Sequence, residues 1–375
     1  MHISGRSRGW QAIFVAALTL VSAGASAIAY AARAATPRAT GESGQTVSAK
    51  AEAELQAGIA LTRNGKFAEA IPHFLAARGH VANEYAAEFN LALCYVGTRD
   101  FQKAISVLLE LRKASHENAD VENLLSQAYA GNDEPEEAFK AFQRAAALTP
   151  KDEKLYLLVA AALLEKEEYS RGAKVVASGL QQLPDSAKLH YELGYALWQL
   201  DESGLAKQEF ERATSLAPHS AIGYLAAAQE NFMLGDVSKS TQIARDGIRE
   251  GLAEYQLLAL LAAALIQDGA RPGQPEFFEA KDALEKSIAA RPNYASSQVA
   301  LGRVLLQEGR ADTAIEHLEL ARRLAPQNPT PYMLLATAYR KRGQLEQAQA
   351  MLAMVAKLNE DQAKKRRQSF EDDRE

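Results

Sequence analysis

An all-α solenoid of stacked helix pairs is the fold class this chain predicts, on three observations. First, residue types recur at a step of 34: Ala70, Ala104 and Ala138; Pro150, Pro184 and Pro218; Ala280, Ala314 and Ala348; Pro292 and Pro326. Second, two places in each period hold small residues throughout. Third, a helix breaker falls between two apolar helical faces in each period. A fixed period of this length means units that bury surface against their neighbours, not one globular core.

The first 35 residues are a different material. His2, Arg6 and Arg8 make a positive start, Trp10 to Ala32 carries no charge, and small-x-small triplets follow at Ala25–Ala27, Ala29–Ala31 and Ala32–Ala34. This is the layout of an export signal, with cleavage expected between about Ala27 and Ala35. The rival reading is an uncleaved anchor through residues 10–32, because 23 uncharged residues can cross a bilayer. The expected location is therefore exported, periplasmic or extracellular, or else held at the inner membrane. Residues 36–50, rich in Gly, Ser and Thr, read as a flexible tether.

The array follows over 51–360, in nine units that start at 51, 85, 119, 153, 187, 221, 255, 295 and 329. The break within a unit falls at Asn64-Gly65, Asp201–Gly204, Gly235-Asp236, Gly309 or Gly343, where glycine supplies the left-handed residue that ends a helix. The recurring prolines stop the second helix or open the next unit. Between Pro218 and Pro292 the count runs six residues beyond two periods, and the loop Gly269–Pro275 takes the excess. Insertions map to loops because stacked helices cannot absorb them. Residues 361–375 hold five bases and five acids and read as a charged helical extension that solvates the open end.

The recurring places explain the stacking. The eighth residue of each unit is Gly58, Ala92, Ser126, Ala160, Gly194, Ala228, Ala262, Gly302 or Ala336, and the twentieth is Ala70, Ala104, Ala138, Gly172, Ala206, Ser240, Ala280, Ala314 or Ala348. Two small columns let paired helices approach closely. The twenty-fourth place (Phe74, Leu108, Phe142, Val176, Phe210, Leu284, Leu318, Leu352) fills the gap to the next unit.

These residues resemble the tetratricopeptide repeat family. Unit five carries Leu193, Gly194, Leu197, Ala206, Phe210, Ala213 and Pro218 at the signature spacings, and unit eight carries Leu301, Gly302, Leu305, Ala314, Leu318, Ala321 and Pro326. The resemblance covers about residues 51–360. It implies antiparallel helix pairs wound into a right-handed superhelix, with a concave groove lined by first helices. Two departures stand out. The aromatic often found at the fourth place is Glu54, Glu88 and Glu122 in the first three units, and unit six has Asn231 and Ala244 at large apolar places. These units are expected to be the looser ones.

The family's inward-facing places are the second, fifth, ninth, twelfth and thirteenth of a unit. They give Lys188, Tyr191, Tyr195, Trp198 and Gln199 in unit five, and Ile222, Leu225, Gln229, Phe232 and Met233 in unit six. Unit seven gives Ala259, Ala263, Ile266 and Gln267, and the last unit gives Met333, Thr337, Arg340 and Lys341. The expected groove is thus aromatic and apolar in the middle and positive near its C-terminal end. Aromatic anchors of this kind dominate recognition hot spots; the competing reading is that Trp198 and Phe232 pack between neighbouring helices. A carboxylate clamp, as in family members that grip acidic chaperone tails, needs Lys and Asn at the fifth and ninth places. Here those places hold Leu55 and Ile59, then Phe89 and Leu93.

Chemistry is not expected. The seven histidines are scattered with no His-Glu-x-x-His pair, and neither a phosphate loop nor a Gly-x-Ser-x-Gly elbow is present. No cofactor, metal or catalytic residue is therefore assigned. The single cysteine, Cys94, lies on an apolar face and reads as a buried thiol. A net charge of −5 offers no basic patch for nucleic acid. The chain is expected to be a non-enzymatic scaffold that binds a peptide or protein segment in its groove, for envelope assembly or secretion. The alternative is a structural or oligomerisation module with no peptide ligand.

Overall fold

The computed structural model describes residues 48–115, 118–165 and 168–372. Every regular element among them is helical. In chain order these are α1 (Ala49–Arg63), α2 (Phe67–Ala77), α3 (Glu84–Gly97), α4 (Phe101–Ser115), α5 (Ala119–Gly131), α6 (Pro135–Leu148), α7 (Glu153–Glu165), α8 (Tyr169–Gln182) and α9 (Ala187–Gln199). There follow α10 (Ser203–Leu216), α11 (Ala221–Leu234), α12 (Val237–Arg249), α13 (Tyr255–Gln267), α14 (Pro275–Ala290), α15 (Ala295–Gln307), α16 (Ala311–Leu324), α17 (Pro329–Lys341) and α18 (Leu345–Asp372). The expected export segment and tether lie outside the described residues, apart from the last residues of the tether.

The chain divides into two compact bodies, which among the described residues are 48–201 and 202–372. The division falls between α9 and α10, inside what the sequence reads as unit five. A quasi-one-dimensional array has no central core to place a boundary at a unit edge. In the first body each helix packs on the next, and α1, α3, α5, α7 and α9 also meet in succession. The second body repeats the plan, with α11, α13, α15 and α17 as its row of first helices. Each body is a stretch of α-solenoid.

Packing within the pairs follows the two small columns, all of whose residues are buried. Two hydroxyls show how closely the columns face each other. Ser126 at an eighth place donates to the carbonyl of Ala138 at 2.6 Å, and Ser240 at a twentieth place donates to the carbonyl of Ala228 at 2.8 Å. A Cβ added at Gly302 would stand 2.5 Å from Leu318, and one at Gly58 would stand 2.8 Å from Phe74. The large residue of the twenty-fourth place therefore rests on the eighth.

The fourth-place glutamates do not leave their hairpins unfilled. Glu54 meets His73 at 2.6 Å, Glu88 accepts from Arg78, and the buried Glu122 accepts from Arg144 at 2.8 Å. Ionic and polar partners on second helices (His73, Arg144) or just past the end of one (Arg78) take the place of an aromatic. In unit six Asn231 donates to the Ala227 carbonyl at 2.7 Å and Ala244 is fully covered.

The end of the array differs from its interior. At the twenty-fourth place every residue from Phe74 to Leu318 is covered, but Leu352 on α18 is 45% exposed. Among the described residues no first helix follows α18 to cover it. Instead α18 runs on as a 28-residue helix through the charged segment.

Candidate interaction surface

The residues that the sequence assigns to an interaction surface lie on first helices, whose phase is set at their starts. Ser48, Asn83, Asn118, Ser186, Ser220 and Asn328 each accept a hydrogen bond from a first-turn N–H of α1, α3, α5, α9, α11 and α17. Such a cap fixes where the helix begins, and so which side chains share a face.

In the first body the predicted residues lie on α9. Lys188 is exposed and pairs with Glu153 at 3.5 Å, while Gln199 is half-buried. Tyr191, Tyr195 and Trp198 are only 7%, 2% and 7% exposed, and the Tyr195 and Trp198 rings meet edge-on at 6.1 Å. The anchors expected from the sequence are thus covered side chains. Helical spacing correctly put them on one face, but it carries no information on what lies over that face. Sequence reasoning missed Glu192 on the same helix. It is buried, neither carboxylate oxygen has a hydrogen-bond partner, and burial pushes its carboxyl up to about 8. Its signal was an acid flanked by Tyr191, Leu193 and Tyr195 on a helix with two covered faces.

In the second body Leu225, Gln229 and Phe232 on α11 are buried, and Met233 is half-buried. Neither amide atom of Gln229 has a partner. On α13 Ala259, Ala263 and Ile266 are covered and Gln267 is half-buried. On α15, burial pushes the Arg303 guanidinium below its usual value. Exposure rises on α17, where Met333 is 44% exposed, Thr337 is half-buried, and Arg340 and Lys341 are exposed. Thr337 turns its hydroxyl back to the Met333 carbonyl at 3.1 Å, and Lys341 donates to the Leu306 carbonyl at 2.7 Å. Met333, Thr337 and Arg340 therefore form an open stripe along one helical face.

Among the described residues no cluster of His, Cys, Asp and Glu could hold a metal ion, and no helix is long and apolar enough to cross a membrane. Cys94 is fully buried beside the Thr62 hydroxyl at 3.3 Å, and burial pushes its thiol up to about 12. A thiol so rarely ionised is a poor nucleophile.

Family models decide what the helix pairs are. One described as tetratricopeptide repeat matches residues 61–128 and 305–365, a second of that description matches 276–329, and a third matches 187–220. Together they cover just over half of the chain. It is a tetratricopeptide repeat protein. No curated protein matches it in sequence. Among solved structures, this repeat protein is similar to yeast Tom70, at 16% identity and a TM-score of 0.57 over 85% of this chain and 70% of that one. A thermophilic repeat protein of Thermus thermophilus matches at 22% identity and a TM-score of 0.41, over 46% of this chain and 91% of its own. At such identities the likeness to Tom70 shows the fold alone.

Proposed function

We propose that this tetratricopeptide repeat protein is a non-catalytic scaffold that holds a peptide or protein segment against the inward row of its first helices. The observation that carries the reading is the open stripe of Met333, Thr337 and Arg340 on α17. The two small columns, and the twenty-fourth place from Phe74 to Leu318, are taken up by packing, whereas Met333 and Arg340 of this stripe face solvent. A flexible thioether two turns from a guanidinium on the same helical face suits a segment that presents an apolar side chain and an acid. Lys188 and Gln199 are the accessible edge of the row in the first body, with Tyr191, Tyr195 and Trp198 as its covered floor. Leu225, Gln229 and Phe232 form the corresponding floor on α11, edged by Met233.

Capture with the full chain tests it. Proteins retained by the wild type should be lost from a Met333→Ala, Arg340→Glu variant that melts normally. Equal retention by both would place the working surface elsewhere. The process served is envelope assembly or secretion, a reading that rests on the export-signal pattern of residues 1–35. Amino-terminal sequencing of protein made in a bacterial host should begin between about Ala27 and Ala35. A start at Met1 or His2 would favour an inner-membrane anchor.

One observation favours the oligomerisation alternative, namely the exposure of Leu352 where its column is otherwise covered. In that case sedimentation should show a concentration-dependent assembly that Leu352→Glu abolishes, and the α17 variant should leave it intact.

A further inference from the structure

Consecutive units meet through a fixed set of places, and α1 and α18 leave opposite halves of that set open. The seventeenth place of a unit lies against the thirteenth of the next, as Phe67 does against Gly97 and Phe101 against Gly131. The eighteenth bonds to the fourteenth: Asn132 donates to Gln102 at 3.2 Å, and Arg342 pairs with Asp312 at 2.8 Å. The twenty-seventh lies against the third, as Gly179 does against Leu189 and Gly247 against Leu257. On α18 the outgoing half of the set is uncovered. Leu345 at the seventeenth place is 61% exposed, and Glu346 at the eighteenth is exposed too. Val355 is half-buried at the twenty-seventh place, which is buried in every earlier unit. On α1 the incoming half is uncovered. Ala53 is exposed at the third place, which is buried in every later unit, and Arg63 and Asn64 are exposed at the thirteenth and fourteenth.

The two open faces complement each other place by place. Placed on α18, α1 of a second copy would set Ala53 against Val355, a small residue against a larger one, as where Gly179 meets Leu189. Leu345 would meet the aliphatic stem of Arg63. The Glu346 carboxylate would accept from the Asn64 amide, as Gln102 accepts from Asn132. A solenoid that stops at its last unit needs a polar outer face there, whereas α18 presents Leu345 and Leu352 to solvent. Covering them with α1 removes apolar surface from water. Pairing α18 with another α18 would repeat none of the internal contacts and would leave Ala53 open.

We propose that the open face of α18 receives the α1 face of a second copy, so that the array continues from one molecule into the next. The inference rests on the oligomerisation reading and names the surface that α18 meets. The α17 stripe, at the fifth, ninth and twelfth places, stays outside the junction. A head-to-tail contact joins two different faces, so each added copy leaves one of each open for the next. Sedimentation velocity of the full chain with two end-blocked variants tests it. Ala53→Arg puts a charge into the α1 face and Leu345→Glu puts one into the α18 face, both at exposed positions that folding tolerates. The wild type should form species that grow past a dimer as concentration rises, and each variant alone should stay monomeric. An equal mixture of the two variants should give a dimer and nothing larger, because one unblocked pair of faces remains. Asn64→Asp, which sets two carboxylates opposite each other, should weaken assembly, and adding Glu346→Lys to the same chain should restore it. A wild type that is monomeric throughout would overturn both this proposal and the oligomerisation reading. Assembly by Ala53→Arg equal to the wild type, with Leu345→Glu monomeric, would overturn the head-to-tail junction alone and point to α18 on α18.

Discussion

Replacing Glu192 by Gln should stabilise the protein, and by an amount that depends on pH in a way fixed by burial. The carboxyl is 1% exposed, has no hydrogen-bond partner, and is raised from 4.5 to about 8 by loss of solvation. Between those two values the folded chain holds a proton that the unfolded chain releases, so stability falls as pH rises through the window. From the two values the cost is near zero below pH 4.5, about 3 kcal/mol at pH 7, and close to a ceiling of about 5 kcal/mol by pH 9. Gln has nearly the same shape and equally unpaired polar atoms, so the variant loses only the part linked to ionisation. Urea titrations followed by circular dichroism at pH 5, 7 and 8.5 would measure the gap between wild type and Glu192→Gln. The gap should widen steadily with pH in favour of the variant. A gap that is flat with pH, or a variant less stable at pH 8.5, would show that this carboxyl is solvated or paired in solution.

Further outcomes follow from the packing. Gly302→Val drives a branched side chain into Leu318, where a Cβ alone would be at 2.5 Å, and should cost about 1–3 kcal/mol in melting experiments. Gly204→Ala, in the first turn of α10 with nothing within 4 Å, should instead gain up to about 1 kcal/mol. Arg99 stands at φ 63 in the turn between α3 and α4, so Arg99→Gly should raise stability by up to about 1 kcal/mol. Tyr191→Ala with Tyr195→Ala should destabilise by about 3 kcal/mol or more, because both rings are covered. The α17 stripe is therefore the better place to probe binding.

The stacking was legible because it repeats. One small residue at an eighth place means little, but nine in register identify the face that must approach its partner, and the serines at 126 and 240 confirm the approach by bonding across it. Turns were legible only where glycine marks them. Arg99, Asp133 and Asp201 take positive φ without any such mark, and in unit five the left-handed residue is Asp201 itself. Helix geometry imposes that conformation whatever the residue, so composition hides it. Glu54, Glu88 and Glu122 read as losses because their partners, His73, Arg78 and Arg144, lie 10 to 22 residues away, on or just past other helices, at spacings that no local pattern links. Burial of Tyr195 or Glu192 depends on the neighbouring elements, and single-helix periodicity cannot report it.

The scaffold reading is tested most directly by photo-crosslinking in cells. Benzoylphenylalanine at Met333, on the open stripe, is compared with the same group at Lys286, an exposed position on the second helix α14. The account predicts discrete protein adducts from position 333 that Arg340→Glu removes, and none from position 286. Adducts of equal strength from both positions, or none from 333 while 286 reacts, would contradict it.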